Sequence, residues 1–363
     1  MNDNDKLEDI RRRIDDVDAR LQELLNERAR CAQEVARIKQ QAGEDGHYYR
    51  PEREAQILRE IKKRNPGPLS AEEMARLFRE IMSACLALEQ PLKIAFLGPE
   101  GTFTQAAALK HFGHSVATSP LPAIDEVFRE VASGAAHYGV VPVENSTEGV
   151  VNHTLDMFLQ SELKICGEVQ LRIHHHLLAK TGTMDDVQRV YSHQQSLAQC
   201  REWLDRHLPK AERVAVSSNA EAARRVANEP QGGVAAIAGD AAAEIYGLTS
   251  LASKIEDDPE NTTRFLVIGH RQVPPSGNDK TSLLVSTENR AGALYGLLTP
   301  FLNHQISMTR IESRPSRRGM WEYAFFVDIE GHIEDREVSQ ALEELKEEAT
   351  LFKVLGSYPC AVL

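Results

Sequence analysis

Two interleaved series of mostly apolar residues run through the first forty positions. Leu7, Ile14, Leu21, Arg28 and Val35 recur every seven residues, with Ile10, Val17, Leu24, Cys31 and Ile38 between them. A 3.5-residue seam sustained this long predicts one helix to about Gln41. Gly43 and Gly46 interrupt it. A second helix is expected over 51–64, with Pro51 suited to its first turn and Asn65-Pro66-Gly67-Pro68 ending it. Ser70 with Glu73 three residues on reads as a capping box, opening a third helix to about Glu89. Gln90-Pro91 closes this helical segment.

From Lys93 the period changes. Short apolar runs at 94–97, 138–143, 173–178, 190–192, 214–216, 234–237 and 265–268 read as strands. Helical stretches lie around 103–112, 123–133, 196–207, 219–227 and 239–246. Alternation of this kind predicts an α/β domain with mostly parallel sheets. Residues 273–279, Val-Pro-Pro-Ser-Gly-Asn-Asp, have the composition of a linker. Beyond it the pattern is strand 282–286, helix 293–303, strands 306–312 and 321–329, helix 335–349 and strand 352–357. That βαββαβ order is the ferredoxin-like arrangement.

Composition narrows the function classes. A net charge of −12 disfavours nucleic acid as a partner, and no apolar run approaches the ~18–20 residues of a membrane span. The acidic start, Met1-Asn2-Asp3-Asn4-Asp5, shows no signal peptide, and five scattered cysteines fit reduced thiols; both point to the cytoplasm. Gly98-Pro99-Glu100-Gly101 lacks the spacing of a dinucleotide fingerprint. His174-His175-His176 invites a metal reading, but neighbouring strand residues alternate faces, so a packed strand is preferred. No cofactor and no metal are expected.

Four motifs occur in a fixed order: Gly98-Pro99-Glu100-Gly101-Thr102-Phe103, Glu144-Asn145-Ser146-Thr147-Glu148-Gly149, Thr263-Arg264-Phe265 and Glu312-Ser313-Arg314-Pro315. Together they resemble the prephenate dehydratase family with an ACT regulatory domain behind it, and the helical segment ahead resembles a chorismate mutase. The whole chain therefore resembles the bifunctional P-proteins of phenylalanine biosynthesis. The resemblance implies three domains: an all-α chorismate mutase at 1–91, a two-lobed, periplasmic-binding-protein-like α/β dehydratase at 92–273, and an α+β ferredoxin-like ACT domain at 281–358. Lobe one is expected at about 93–170 plus 255–272, with lobe two between. The implied substrates are chorismate and prephenate, and phenylalanine is the implied effector.

Arg28 sits in an apolar seam. A snorkelling coiled-coil arginine is one reading; the other is that its guanidinium meets a bound dicarboxylate. Lys39, eleven residues on, projects on nearly the same face, whereas Arg11 lies roughly 25 Å up the axis and turned away. Arg11 can share a site with Arg28 only across an antiparallel partner, so a homo-oligomer is expected. The resemblance carries chorismate binding onto Arg11, Arg28, Lys39, Arg53 and Glu54, with Arg50 where relatives have Asp, Cys85 where they have Ser and Glu89 where some have Gln. Lys39 and a protonated Glu89 are the candidate donors to the breaking ether oxygen, and Arg28 completes the catalytic set.

For prephenate, the resemblance makes Thr263 the catalytic residue, hydrogen-bonding the leaving hydroxyl. Arg264 either pairs with a substrate carboxylate or braces its strand, and Phe265 completes the motif. Asn145 and Ser146 follow an apolar strand, where α/β domains bind ligands, or they cap a helix. Thr102 and Phe103 occupy a similar turn, and Ser192 and His193 begin a Ser-His-Gln-Gln segment like the family's Ser-His-Pro-Gln. For phenylalanine, the implied residues are Gly292, Ala293 and Leu294, facing Glu312, Ser313, Arg314 and Pro315 across a subunit interface. Two other classes fit parts of the chain: a two-lobed small-molecule receptor, and a purely regulatory ACT dimer with an inactive mutase.

Overall fold

The heptad seam becomes one uninterrupted helix, α1 (Asp3–Gln41), in the computed structural model, which describes residues 3–41, 49–230, 232–288, 290–315 and 323–363. Gly43, Gly46 and Trp321, where the sequence predicts a helix break and a strand start, lie outside the described residues. α2 (Pro51–Arg64) opens on its proline, and α3 (Ala71–Glu89) is capped by Ser70, whose Oγ accepts from the Glu73 amide at 3.1 Å. The return half of the expected box is absent, because the Glu73 carboxylate turns to Arg76. Only Ala36 of α1 is buried. Leu7, Ile10, Ile14, Val17, Leu21 and Leu24 stand exposed along one seam, an apolar surface suited to association.

Lobe one takes β1 (Lys93–Leu97), α4 (Phe103–Phe112), β2 (Ala117–Leu121), α5 (Ile124–Ala132), β3 (Tyr138–Asn145), β4 (Gly149–Val150), α6 (Asn152–Phe158) and β5 (Lys164–Arg172). The chain then crosses to lobe two: β6 (His176–Ala179), β7 (Arg189–His193), α7 (Gln194–Gln199), α8 (Arg201–His207), β8 (Glu212–Val216), α9 (Asn219–Asn228), β9 (Val234–Ala238), α10 (Asp240–Tyr246) and β10 (Thr249–Ala252). It returns to lobe one on β11 (Thr262–Gly269). The sheets run β2-β1-β3-β11-β5, with β4 on β3, and β10-β6-β9-β7-β8.

Neither sheet is mostly parallel, contrary to the expectation from alternation. β1 pairs parallel with β2 and β3, but β11 is antiparallel to both β3 and β5. In lobe two β7 pairs parallel with β8 and β9, whereas β6 is antiparallel to β9 and β10. The two strands on which the chain arrives from the other lobe, β6 and β11, run against the neighbours they pair with. The strand expected at 173–178 is divided for the same reason, since 173–175 form the crossing.

The last segment is β12 (Asp279–Ser286), α11 (Ala293–Asn303), β13 (Met308–Pro315), β14 (Tyr323–Glu330), α12 (Arg336–Glu348) and β15 (Leu351–Pro359), in an antiparallel sheet ordered β13-β14-β12-β15. Leu297, Phe301, Val338 and Leu342 of its helices cover one face. The other face joins the lobe-one core through Leu284, Phe326, Leu355 and Tyr358. β15 lies so close to β5 that a Cβ on Gly356 would meet the Ile165 carbonyl oxygen at 2.2 Å, so only glycine fits there. The expected linker is also held: Arg59 of α2 donates to Ser276 O, Ser276 Oγ and Asn278 O at 3.1, 3.0 and 2.7 Å. Among the described residues no helix is long and apolar enough to cross a membrane.

Candidate active sites

Where α1, α2 and α3 meet, they enclose a cavity of about 500 Å³ lined by Arg28, Val35, Arg50, Arg53, Glu54, Cys85 and Glu89 among others. The seam of α1 supplies no acid for Arg28, but α2 and α3 do: the Arg28 charge acts on both Glu54 and Glu89. Burial pushes the Glu89 carboxyl above its ordinary value, while Lys39 and then Arg28 hold it back. Burial likewise raises Glu54 against the opposing charge of Arg79, which donates to Glu54 Oε2 at 2.8 Å. Arg50 lines the cavity and pairs with Glu52 at 2.8 Å. Lys39 is off the lining but close enough to act on Glu89. Arg11 is exposed far up α1 and reaches nothing in this cavity.

A second cavity, about 530 Å³, lies between the lobes, and Thr102, Phe103, Asn145, His175, His193, Thr263 and Phe265 line it. At its floor the Asn145 side-chain amide donates to Thr263 Oγ1 and to Asn261 Oδ1, each at 2.8 Å. Asn145 Oδ1 accepts from the amides of Thr147 and Glu148, both at 3.0 Å. These bonds fix the amide orientation. Accepting from Asn145 leaves the Thr263 O–H itself free to donate. The helix-cap reading of this segment fails in detail: residues 146–148 form a turn and α6 begins later, after Val151.

Three expected residues are near the cleft without lining it. Ser146 Oγ accepts from the Thr262 amide at 2.9 Å and so steadies the strand end that carries Thr263. Ser192 is fully buried, with Oγ 2.9 Å from both Asn219 Oδ1 and the Ile237 carbonyl. Arg264 projects from β11 away from Thr263, as strand alternation requires. It pairs with Glu168 at 2.8 Å and Asp328 at 2.6 Å, and donates to Tyr358 Oη at 3.0 Å. Of its two readings these contacts show the brace, and Arg264 is not part of the cleft lining.

Other residues of the wall are not singled out as site residues by the sequence. The packed strand expected at the three histidines holds only for His176, which opens β6; His174 and His175 sit on the crossing between lobes, and all three point to separate partners. His174 Nδ1 meets Glu256 at 2.7 Å, His175 Nε2 meets Gln199 Oε1 at 2.9 Å, and His176 Nε2 lies 3.1 Å from Asp240. Burial lowers the His175 pKa, favouring the neutral ring, and Phe103 packs edge-on against it across the lobes. Gln195, Ser196, Gln199 and Asn219 complete the lobe-two wall. Gln195 closes the Ser192-His193-Gln194-Gln195 segment, whereas Ser196 and Gln199 follow it on α7 and Asn219 opens α9 after β8, with no signal but those positions.

In the C-terminal domain Gly292 adopts φ +80° and precedes α11, which glycine does without strain. Glu312, Ser313, Arg314 and Pro315 end β13, an edge strand of the sheet. Arg314 pairs with Asp156 of α6 at 2.7 Å. Leu294, Tyr295 and Leu302 of α11 and Ile311 of β13 are exposed.

Three family models match in order along the chain: chorismate mutase type II at 10–90, prephenate dehydratase at 94–273 and the ACT domain at 281–347. The chain is 62% identical over 367 residues to the bifunctional chorismate mutase/prephenate dehydratase of Pseudomonas aeruginosa, covering all of both. Among solved structures, a prephenate dehydratase from Arthrobacter aurescens in complex with L-Phe is similar with a TM-score of 0.69 and 35% identity, over 74% of this chain and 90% of that one. GqqA, described as a quorum quenching acylase, matches with a TM-score of 0.69 and 30% identity, over 74% of this chain and 98% of its own.

Proposed function

The chain belongs to the bifunctional chorismate mutase/prephenate dehydratase family, and from that premise we propose how its two cavities divide the work. The helical cavity rearranges chorismate to prephenate; the interlobe cleft converts prephenate to phenylpyruvate; the C-terminal domain binds phenylalanine and feeds back on the pair. The observation that carries this reading is that the two motif sets close on two separate cavities, one rich in arginine and one floored by the Asn145–Thr263 pair. The domains we assign are 1–91, 92–273 and 281–358, and the cytoplasm is the compartment we infer.

The rearrangement is pericyclic. One C–O bond breaks as one C–C bond forms, with no proton or nucleophile consumed. The protein has to hold the folded substrate and stabilise charge gathering on the ether oxygen. Arg28 and Arg53 clamp carboxylates, with Arg50 and Glu54 beside them and Cys85 closing the wall. Lys39 and Glu89 face the ether oxygen, and Glu89 donates only as the acid. Arg11 belongs to this site only if a second copy lays its α1 antiparallel along the first. The exposed seam of α1 supports that dimer.

In the cleft the ring carboxylate leaves as CO₂. Its bonding pair becomes a ring double bond, and the 4-hydroxyl departs with its own pair and gains a proton, giving water. Thr263 hydrogen-bonds the departing hydroxyl, oriented by Asn145. Thr102, Phe103, His193 and Phe265 shape the cavity, while Ser146 and Ser192 hold its floor and wall from behind. For the effector, we assign Gly292, Ala293 and Leu294 to one side of a phenylalanine site and Glu312, Ser313, Arg314 and Pro315 of a second copy to the other. The test is a pair of separated assays, chorismate disappearance and phenylpyruvate formation from prephenate, on Arg28→Ala and Thr263→Ala proteins. Each substitution should remove one activity and leave the other.

A further inference from the structure

One wall residue of the helical cavity is anchored in the neighbouring domain. Tyr49 lines that cavity, yet its ring is planted in the lobe-one core, with ring centroids 5.1 Å from Phe112 and 5.2 Å from Tyr138. Tyr49 Oη lies 2.9 Å from His111 Nε2, at the far end of α4 from the cleft. Glu54 lines the same cavity, and the Tyr49 phenol lies close enough to act on its carboxyl. Its single proton is best used on that anion, so His111 Nε2–H is the donor to Tyr49 Oη. A second path runs through the backbone: one Arg79 guanidinium nitrogen donates both to the His111 carbonyl and to Glu54 Oε2. Room for the ring is made by Gly167, where a Cβ would sit 3.0 Å from His111 Cε1.

We propose that His111, a dehydratase-domain residue, is a positioning residue for the chorismate mutase reaction, fixing Glu54 through Tyr49 on one side and Arg79 on the other. This rests on the assignment of the helical cavity as the mutase site. Burial and the Arg79 charge push the His111 imidazole down to about 3, so the ring stays neutral across the working pH range. Glu54 is only 13% exposed and faces the cavity, so these two routes govern which way its carboxyl points.

The experiment uses the full chain with four substitutions: His111→Phe, His111→Gln, Tyr49→Phe and the double His111→Phe/Tyr49→Phe. Both activities are read on each preparation, with Arg28→Ala as control. Losing one such hydrogen bond to a charged group's partner predicts a roughly tenfold fall in mutase kcat/KM for His111→Phe. Phenylpyruvate formation from prephenate should stay within about twofold. His111→Gln keeps an N–H donor and should recover most of the loss. The double variant should be no worse than the weaker single one, because both break one chain. Unchanged mutase kcat/KM in His111→Phe, additive losses, or a parallel fall of both activities with a lowered Tm would each overturn the proposal. If Arg28→Ala also leaves the mutase intact, the site assignment falls and takes this inference with it. If Arg28→Ala is inactive and His111→Phe is not, only the role of His111 falls.

Discussion

On the proposed roles, single side chains decide which cavity does which chemistry. Thr263 has its hydroxyl oriented by one neutral amide and open toward the cleft, so its removal costs a positioned donor. Thr263→Ala should lower dehydratase kcat on the order of 10²–10³-fold, the usual loss for one such donor, with mutase kinetics unmoved in the same preparation. Glu89 makes a pH prediction. Burial holds its carboxyl above the ordinary value, and only the acid form donates, so mutase kcat/KM should fall as pH rises through that raised pKa. Glu89→Gln donates at every pH and should flatten the alkaline side of the profile. Parallel pH profiles for the two proteins would remove Glu89 from the donor role. Arg264 shows what adjacency in sequence hides: it and Thr263 share a motif, but the strand sends one to the cleft and the other to the domain junction.

At the scale of elements, the junction between β11, β5 and the C-terminal sheet rests on a buried charge cluster. Burial opposes ionisation of Asp328, but Arg264 and the Ser282 hydroxyl outweigh it and hold the carboxyl below its ordinary value of 3.8. The native state then binds this proton less tightly than the unfolded chain. Its stabilisation is therefore complete above about pH 4 and is lost as pH falls through the lower native pKa. Arg264→Met leaves Asp328 buried without its main partner and should cost about 3 kcal/mol in urea unfolding near neutral pH. Burial would then dominate, so the variant should lose stability, relative to the parent, as pH rises. Helix-rich and apolar elements were legible in sequence because period and caps act locally: α1, α2 and α3 fall where the seam, Pro51 and Ser70 place them. β2 and β10 were not, since Ala-Thr-Ser-Pro-Leu and Thr-Ser-Leu-Ala are short edge strands with little apolar signal. β5 carries Lys, Glu, Gln and Arg that only the junction explains, and the crossing histidines gained their meaning from topology alone.

The whole molecule is three domains sharing cores, not three beads on short linkers. Tyr49 enters the lobe-one core, the C-terminal sheet buries Leu284 and Tyr358 against it, and Val362 and Leu363 pack onto α2 and α3 with Leu58. Removing residues 281–363 should therefore expose lobe one and lower its Tm, and loss of phenylalanine inhibition is better tested by point changes such as Leu294→Asp or Ser313→Ala. The α1 seam should hold two copies together: Leu21→Glu should shift sedimentation toward the monomer and reduce mutase activity, leaving prephenate turnover largely intact. Mixed Arg11→Ala and Arg28→Ala subunits should regain mutase activity after exchange, since a heterodimer keeps one whole site. The most direct test of the two-site account is a single progress curve begun with chorismate, following prephenate and phenylpyruvate together. The parent protein should deliver phenylpyruvate, Thr263→Ala should stop at accumulated prephenate, and Arg28→Ala should consume no chorismate yet convert added prephenate. Phenylpyruvate formed from chorismate at the parent's rate by either variant would contradict the account.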